Sequence, residues 1–250
     1  MVKEYIDDDV MVVCLSNGKA NSINREMISD IRCIIKNVSS NSLVKGLVLT
    51  GEGKNFSLGA DISSILKLKN DIEVFEYFSE LEEVIYELFI YEKPIVAAIN
   101  GHAIGAGLIF ALCADYKITL HNEFIKFGMP EIKIGMLLSP LMLEVIRFNI
   151  TNNGIIRDML YFGNLFDIKK AIELGVVDDI LYEGDIIKKS IETIRLWLNN
   201  PSQTFSEIKN LIRKPYIKSM HNKTKEKNFK IFADLIFSKD TRKAMLSMPK

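Results

Sequence analysis

The chain has 250 residues, 48% of them hydrophobic and 26% charged. That length supports a sizeable core, as one large domain or a domain with an appendage, and the composition excludes collagen-like, disordered and disulfide-scaffold classes. Lys+Arg and Asp+Glu are 32 each, so a net charge of zero offers no whole-chain argument for a nucleic acid or an anionic membrane as partner.

The opening MVKEYIDDDV is acidic and lacks the apolar stretch of a signal peptide. Cys14, Cys33 and Cys113 each sit in apolar stretches without metal-like spacing. Buried free thiols, a cytoplasmic location and no metal site are therefore expected. Four short branched runs bounded by turn residues read as buried strands: VMVVCL (Val10–Leu15), GLVLT (46–50), PIVAAI (94–99) and YKITL (Tyr116–Leu120). Between the first two, Met27, Ile28, Ile31, Ile34, Ile35 and Val38 recur at helical spacing. A second amphipathic helix carries Phe75, Phe78, Leu81, Ile85, Leu88 and Phe89 and stops before Pro94. Strand, helix, strand, helix implies parallel crossovers and an α/β fold. The apolar stretch 94–114 is interrupted by Asn100, His102 and glycines 101, 105 and 107, so it reads as core rather than as a membrane span.

Residues 168–181, IKKAIELGVVDDIL, read as a helix closed by Gly175 and followed by a short strand. Beyond Asp185 only helical patterns remain, and residues 201–250 hold 12 Lys+Arg against 4 Asp+Glu. A core over 1–190 and a helical region over 191–250 follow. The basic excess is either a solvated face or a surface for a phosphate-bearing ligand or an acidic neighbouring subunit.

Two glycine-containing loops follow predicted strands: TGEGKNFSLGAD (50–61) and NGHAIGAG (100–107). In a parallel sheet both lie at carboxyl ends of strands, where ligands of open α/β folds gather, and each leads into a helix, at Asp61 and at Ala106 or Gly107. Such loops are either simple tight turns or a pair of unpaired backbone N–H groups able to bind an oxyanion. GxGxxG and GxxxxGK[ST] are absent, and no GxSxG surrounds Ser57 or Ser139. Among acid–base candidates, Glu131 stands in FGMPEIKIG (127–135) among apolar residues, where a carboxyl resists ionisation; it either takes part in proton transfer or merely caps the next segment or pairs with Lys133. His102 and His121 read as packing or surface histidines.

The strings KANSIN (19–24), LTGEGKNFSLGADI (49–62), KPIVAAINGHAIGAG (93–107), CADYKI (113–118), FGMPEIKIG and FSKDTRKAM (237–245) resemble, in order and spacing, the crotonase or enoyl-CoA hydratase/isomerase family. The resemblance implies a spiral of ββα turns followed by a C-terminal helical trimerisation region, giving a homotrimer or dimer of trimers. It implies a coenzyme A thioester as substrate and no permanently bound cofactor. By motif position the oxyanion donors are the amides of Ala60, after Gly59, and Ala106, after Gly105, where the family usually has glycine. Ala20, Asp61 and Ile62 fall near the coenzyme's pantetheine and adenine portions.

The acid–base pattern departs from that of hydratases, which the resemblance endows with two glutamates. Glu131 matches one; the other position holds Ile109. A single carboxylate suffices to move a double bond from C3 to C2, in a pocket kept dry by Leu108, Ile109 and Leu137. The sequence therefore points to an enoyl-CoA isomerase. The alternatives are a hydratase, lyase or hydrolase recruiting His102 or a carboxylate from 71–92, or an acyl-CoA-binding protein with degraded catalysis.

Overall fold

Runs such as GLVLT, apolar but for its last residue, and IVAAI have no polar face to turn to water, so they fold only where both sides of a sheet are covered. The computed structural model, which describes residues 1–224 and 229–247, places them there. A hairpin of β1 (Val2–Asp7) and β2 (Val10–Leu15) leads into α1 (Arg25–Ser40). The chain then forms β3 (Gly46–Gly51), β4 (Asn55–Ser57), a short α2 (Ile62–Leu66) and α3 (Asp71–Ile90). The next turn supplies β5 (Ile95–Ile99), β6 (His102–Ile104) and α4 (Ala106–Leu112); the one after it β7 (Tyr116–Leu120), β8 (Phe127–Gly128) and a 3-10 turn (Glu131–Ile134). Then follow α5 (Pro140–Asn149), α6 (Asn153–Phe162), α7 (Ile168–Glu173), β9 (Asp179–Leu181), α8 (Ile186–Leu198), α9 (Ser202–Thr224), α10 (Phe229–Phe237) and α11 (Lys239–Leu246).

Two sheets result. The larger has the order β1-β2-β3-β5-β7-β9, parallel throughout except for the β1–β2 hairpin, and the smaller is β4-β6-β8, all parallel. After the β1–β2 hairpin, which lies wholly in the larger sheet, the pairs β3–β4, β5–β6 and β7–β8 each contribute one strand to each sheet, giving the expected spiral of ββα turns. The strand period of two separates the two faces of the larger sheet. Met11, Val13, Leu15, Leu47, Leu49, Ala97 and Ile99 join the core formed with α1, α3 and α4. Val10, Val12, Val48, Val96, Ala98 and Ile118 pack under Ile186, Ile191 and Ile194 of α8. Position 190 falls inside α8, and the later helices add Met220, Ala233, Ile236 and Met245 to the main core.

Several expectations are corrected. β1, β4, β6 and β8 were not legible as strands, because three of them are two or three residues long and β1 is an edge strand exposed along most of its length. Phe75 is 47% exposed; Val74 and Tyr77 take the inward positions of α3. All three cysteines are free, but only Cys113 is buried; Cys14 is half-buried and Cys33 exposed, since it stands beside Arg32 on the polar face of α1 rather than in the Ile31–Ile34–Ile35 stripe.

Part of the basic excess of the C-terminal region is turned inward. The Lys209 ammonium donates to Asp115 Oδ2 at 2.8 Å and Lys93 O at 3.0 Å. The Arg213 guanidinium donates to Asp115 Oδ1 at 2.8 Å, to Cys113 O at 3.0 Å and to Phe89 O, and lies between the rings of Phe89 and Phe148. Both cations are buried. Lys225, Lys227 and Lys250 of the same basic stretch lie outside the described residues. Removing one member of a buried ionic cluster strands the others. Asp115→Ala is expected to cost about 3–5 kcal/mol of unfolding free energy in urea denaturation; a loss below about 1 kcal/mol would show that water takes the carboxylate's place.

Candidate active site

Each glycine loop leaves the larger sheet, adds one short strand to the smaller sheet and enters a helix. Parallel pairing of β4 with β6 aligns Asn55 with His102 and Ser57 with Ala103, so the segments just beyond, Gly59–Asp61 and Gly105–Ala106, arrive side by side. The approach is close enough to require glycine. A methyl group on Gly59, at φ +95°, would lie 2.9 Å from Ile104 O and 3.2 Å from the Ala106 nitrogen. Gly105 stands at φ +57°, ψ −132°, a conformation closed to side chains in practice.

Main-chain hydrogen bonds then dictate which amides remain open. Ile23 N–H donates to Gly59 O at 2.8 Å and Asp61 N–H donates to Ile23 O at 3.0 Å. The same Ile23 carbonyl accepts the Tyr77 hydroxyl of α3 at 2.8 Å. The intervening Ala60 N–H points the other way and has no described backbone acceptor. Ala106 is the first residue of α4, and its cap, Gly105, has no side chain to offer. By contrast Asn24, Asp61, Asn70, Ser139, Asn152, Asp167, Asp185 and Ser238 each cap their helices with a side-chain oxygen. Two polarised N–H groups on adjacent loops, without a partner among the described residues, are donors of the kind that can bind a developing oxyanion. Alanine at 106 keeps its N–H and sits in helical geometry, so its methyl costs nothing there.

Glu131 opens the 3-10 turn after β8. Its Oε1 lies where a methyl on Gly105 would come within 2.6 Å, which puts the carboxyl beside the residue preceding the Ala106 donor. Oε2 is buried and has no hydrogen-bond partner among the described residues. Burial pushes the carboxyl up to about 7, against a lowering hydrogen bond from its own backbone N–H. Lys133 does not pair with it; that ammonium reaches Asn164 Oδ1 at 3.2 Å. The turn is braced from behind, since Gly135, at φ +68°, leaves room for Thr241 of α11, and Gly163 for Pro130 and Ile132.

The remaining sequence-predicted residues divide. Ile109 and Leu108 are wholly buried in α4, and no carboxylate stands at position 109. Leu137 is 38% exposed, in the irregular segment between Gly135 and the Ser139 cap, so it does not wall off the site within a single chain. Ala20 is half-buried and its carbonyl accepts Leu58 N–H at 2.9 Å. Ile62 begins α2 and packs against the core. Asp61 caps that helix, accepting from Ser63 N–H, Ser63 Oγ and Ser64 Oγ at 3.0, 2.9 and 2.6 Å; partial burial raises its pKa, but these hydrogen bonds hold it below the ordinary value. His102 accepts Lys126 N–H on Nδ1 at 2.9 Å, and burial and Lys126 lower its pKa, so it serves as a neutral backbone anchor. On α3, Glu76 and Glu80 bind Arg25, and Glu83 and Glu87 bind Arg32. Among the described residues no cluster of three or more His, Cys, Asp or Glu is placed to hold a metal, and no helix is long and apolar enough to cross a membrane. Asn21, not singled out from the sequence, and Ser57, considered there only as a nucleophile, tie the loops together.

The family described as enoyl-CoA hydratase/isomerase matches residues 6–248. Mouse (Mus musculus) mitochondrial enoyl-CoA delta isomerase 1 is 27% identical over 240 residues, covering 96% of this chain and 82% of its own. Crotonyl-CoA hydratase from Syntrophomonas wolfei is 28% identical over 184 residues, 72% of this chain and 69% of its own. In fold, human mitochondrial delta3-delta2-enoyl-CoA isomerase superposes with a TM-score of 0.89 at 21% identity, over 98% of this chain and 95% of its own. Enoyl-CoA hydratase from Bacillus halodurans gives 0.86 at 19% identity, over 99% of both chains.

A buried acid with a raised pKa stays protonated in the folded state while the unfolded chain ionises. Stability is then full below about pH 4.5 and falls as pH rises to about 7, by on the order of 3 kcal/mol. Glu131→Gln removes that penalty, so its melting temperature is expected to exceed the parent's by several degrees at pH 8 and to equal it at pH 4.5. Equal melting temperatures at pH 8 would show that Glu131 is solvated.

Proposed function

The chain belongs to the enoyl-CoA hydratase/isomerase family, and on that footing we propose that it moves the double bond of a 3-enoyl-CoA from C3 to C2. The carrying observation is a desolvated carboxyl, Glu131, beside Gly105 and hence next to the open Ala106 amide, with the wholly buried Ile109 where the resemblance to hydratases calls for a second acid. Hydration must position water on one face and deliver a proton, a task for two carboxylates; isomerisation consumes no water and returns the proton it removes.

In this reading the ionised Glu131 takes a proton from C2. The electrons of that C–H bond delocalise onto the thioester oxygen, giving a dienolate whose negative oxygen accepts hydrogen bonds from Ala60 N–H and Ala106 N–H. Protonated Glu131 then delivers the same proton to C4, and the double bond comes to rest between C2 and C3. Each oxyanion donor of this kind is worth roughly 10²- to 10³-fold in rate. A carboxyl near pH 7 is balanced between accepting and releasing the proton. Ala20 and the start of α2 at Asp61 and Ile62 are assigned to the coenzyme portion; the Asp61 carboxylate serves there by holding α2 rather than by touching the ligand.

Assembly into trimers through the helices after residue 190 belongs to the same proposal. Supporting it, Leu196, Ile208, Leu211 and Ile212 of α8 and α9 are all more than half exposed in the single chain. Sedimentation equilibrium is expected to give three or six chains, with Leu211→Asp shifting the mass to one; a monomeric parent overturns the assembly.

For the reaction itself, short- and medium-chain 3-enoyl-CoA should yield the conjugated 2-enoyl-CoA, and Glu131→Gln should lower that rate by at least about 10³-fold. The parent's kcat/KM should rise about tenfold per pH unit below 7 and level off above it. Formation of 3-hydroxyacyl-CoA from 2-enoyl-CoA at a faster rate would overturn the isomerase reading in favour of hydration.

A further inference from the structure

We propose that Ser57 is a positioning residue of the oxyanion receptor, holding both donor loops from a single buried point. This rests on the thioester-oxyanion reading above and extends it to a residue that touches no substrate. Ser57 ends β4 and is fully buried. Its hydroxyl donates to Asn21 O at 2.8 Å and accepts Gly59 N–H at 3.2 Å.

Gly59 is the most conformationally free residue in the loop and immediately precedes the Ala60 donor. Two hydrogen bonds remove that freedom: Ser57 Oγ holds the peptide before it, and Ile23 N–H holds the carbonyl after it at 2.8 Å. With both flanking peptides clamped, the φ and ψ of Gly59 are determined, and so is the direction of the Ala60 N–H. Take away the hydroxyl and one clamp remains, leaving Gly59 N–H buried and unpaired.

The same serine meets the other donor from the opposite side. Gly107 of α4, next to Ala106, crosses it so closely that a methyl there would collide with Ser57 O and lie 2.7 Å from Ser57 Cβ. The first turn of α4 therefore registers directly on Ser57. Its acceptor is itself immobilised. Asn21 is fully buried with a left-handed backbone, φ +46°, and its side-chain amide donates to Glu52 O at 2.9 Å and Asn55 O at 2.8 Å. Asn21 Oδ1 in turn accepts Asn17 N–H at 3.2 Å. One residue thus connects three segments: its hydroxyl joins the rigid turn to the loop bearing Ala60, and its carbonyl and Cβ pack against the helix bearing Ala106.

The test compares the full-length parent with Ser57→Ala and Ser57→Cys. The probe is acetoacetyl-CoA, a 3-oxoacyl thioester whose enolate absorbs in the near ultraviolet and carries negative charge on the thioester oxygen. Ser57→Ala is expected to bind the enolate about tenfold more weakly and to lose about tenfold in kcat, with KM for 3-enoyl-CoA and affinity for free coenzyme A within twofold. Ser57→Cys, which keeps a weak donor and acceptor, is expected to recover part of the loss. If Ser57→Ala matches the parent in enolate binding and kcat, the assignment is overturned. It is also overturned if affinity for free coenzyme A falls in the same proportion, since that is general loosening. A parent that does not perturb the enolate spectrum has no thioester oxyanion receptor, and the underlying reading falls first.

Discussion

The Ala60 and Ala106 amides stay open because the smaller sheet stops where it does. β4 and β6 are only three residues each, and their parallel pairing delivers two chain segments to one place just as the ladder runs out. Glycines at 59 and 105 then allow a separation that any Cβ would prevent. A short strand wastes little chain on pairing and leaves the next N–H groups facing the same space. Eight other helices start on a capping side chain, whereas α4 begins on Gly105, which leaves its first N–H groups to water or a ligand.

The carboxyl is held from the far side of the molecule. Glu131 follows Pro130 on a 3-10 turn closed by the left-handed Gly135, and that glycine leaves the space into which Thr241 fits. The helix bearing Thr241 also sends Arg242 to the carbonyls of Leu66, the last residue of α2, and Leu68, just beyond it. α11 therefore touches both the segment that follows the Ala60 loop and the turn that carries Glu131. Its neighbours are anchored in turn by the Asp115–Lys209–Arg213 cluster, which pins α9 to the ends of β5 and β7. The proposed proton transfer needs a carboxyl dry enough to sit near neutrality and close to the Ala106 amide, and the turn that carries Glu131 is held for that by chain distant in sequence.

How much was readable in advance follows from the length scale of each signal. Strands buried on both faces announce themselves as unbroken apolar runs, and β2, β3, β5 and β7 were legible to within a residue. The strands that build the site were not, because two or three residues flanked by glycine carry no periodicity. Glu131 stood out through its apolar surroundings, whereas the choice between a Lys133 partner and an unpaired carboxyl needed the position of Asn164, thirty-one residues beyond that lysine. Cys33 and Phe75 misled because apolar neighbours in sequence do not say which side of a helix faces inward.

From the sequence alone come the α/β class, the two glycine loops at strand ends, the isolated Glu131 and the apolar Ile109, because each is written in residue type and local spacing. Only the tertiary structure decided that the two loops meet, that Ala60 and Ala106 keep their N–H groups free, and that Asn21 and Ser57 hold them there. Those facts depend on strand register and on hydrogen bonds between segments more than thirty residues apart, and no local pattern encodes which distant carbonyl a given N–H will find.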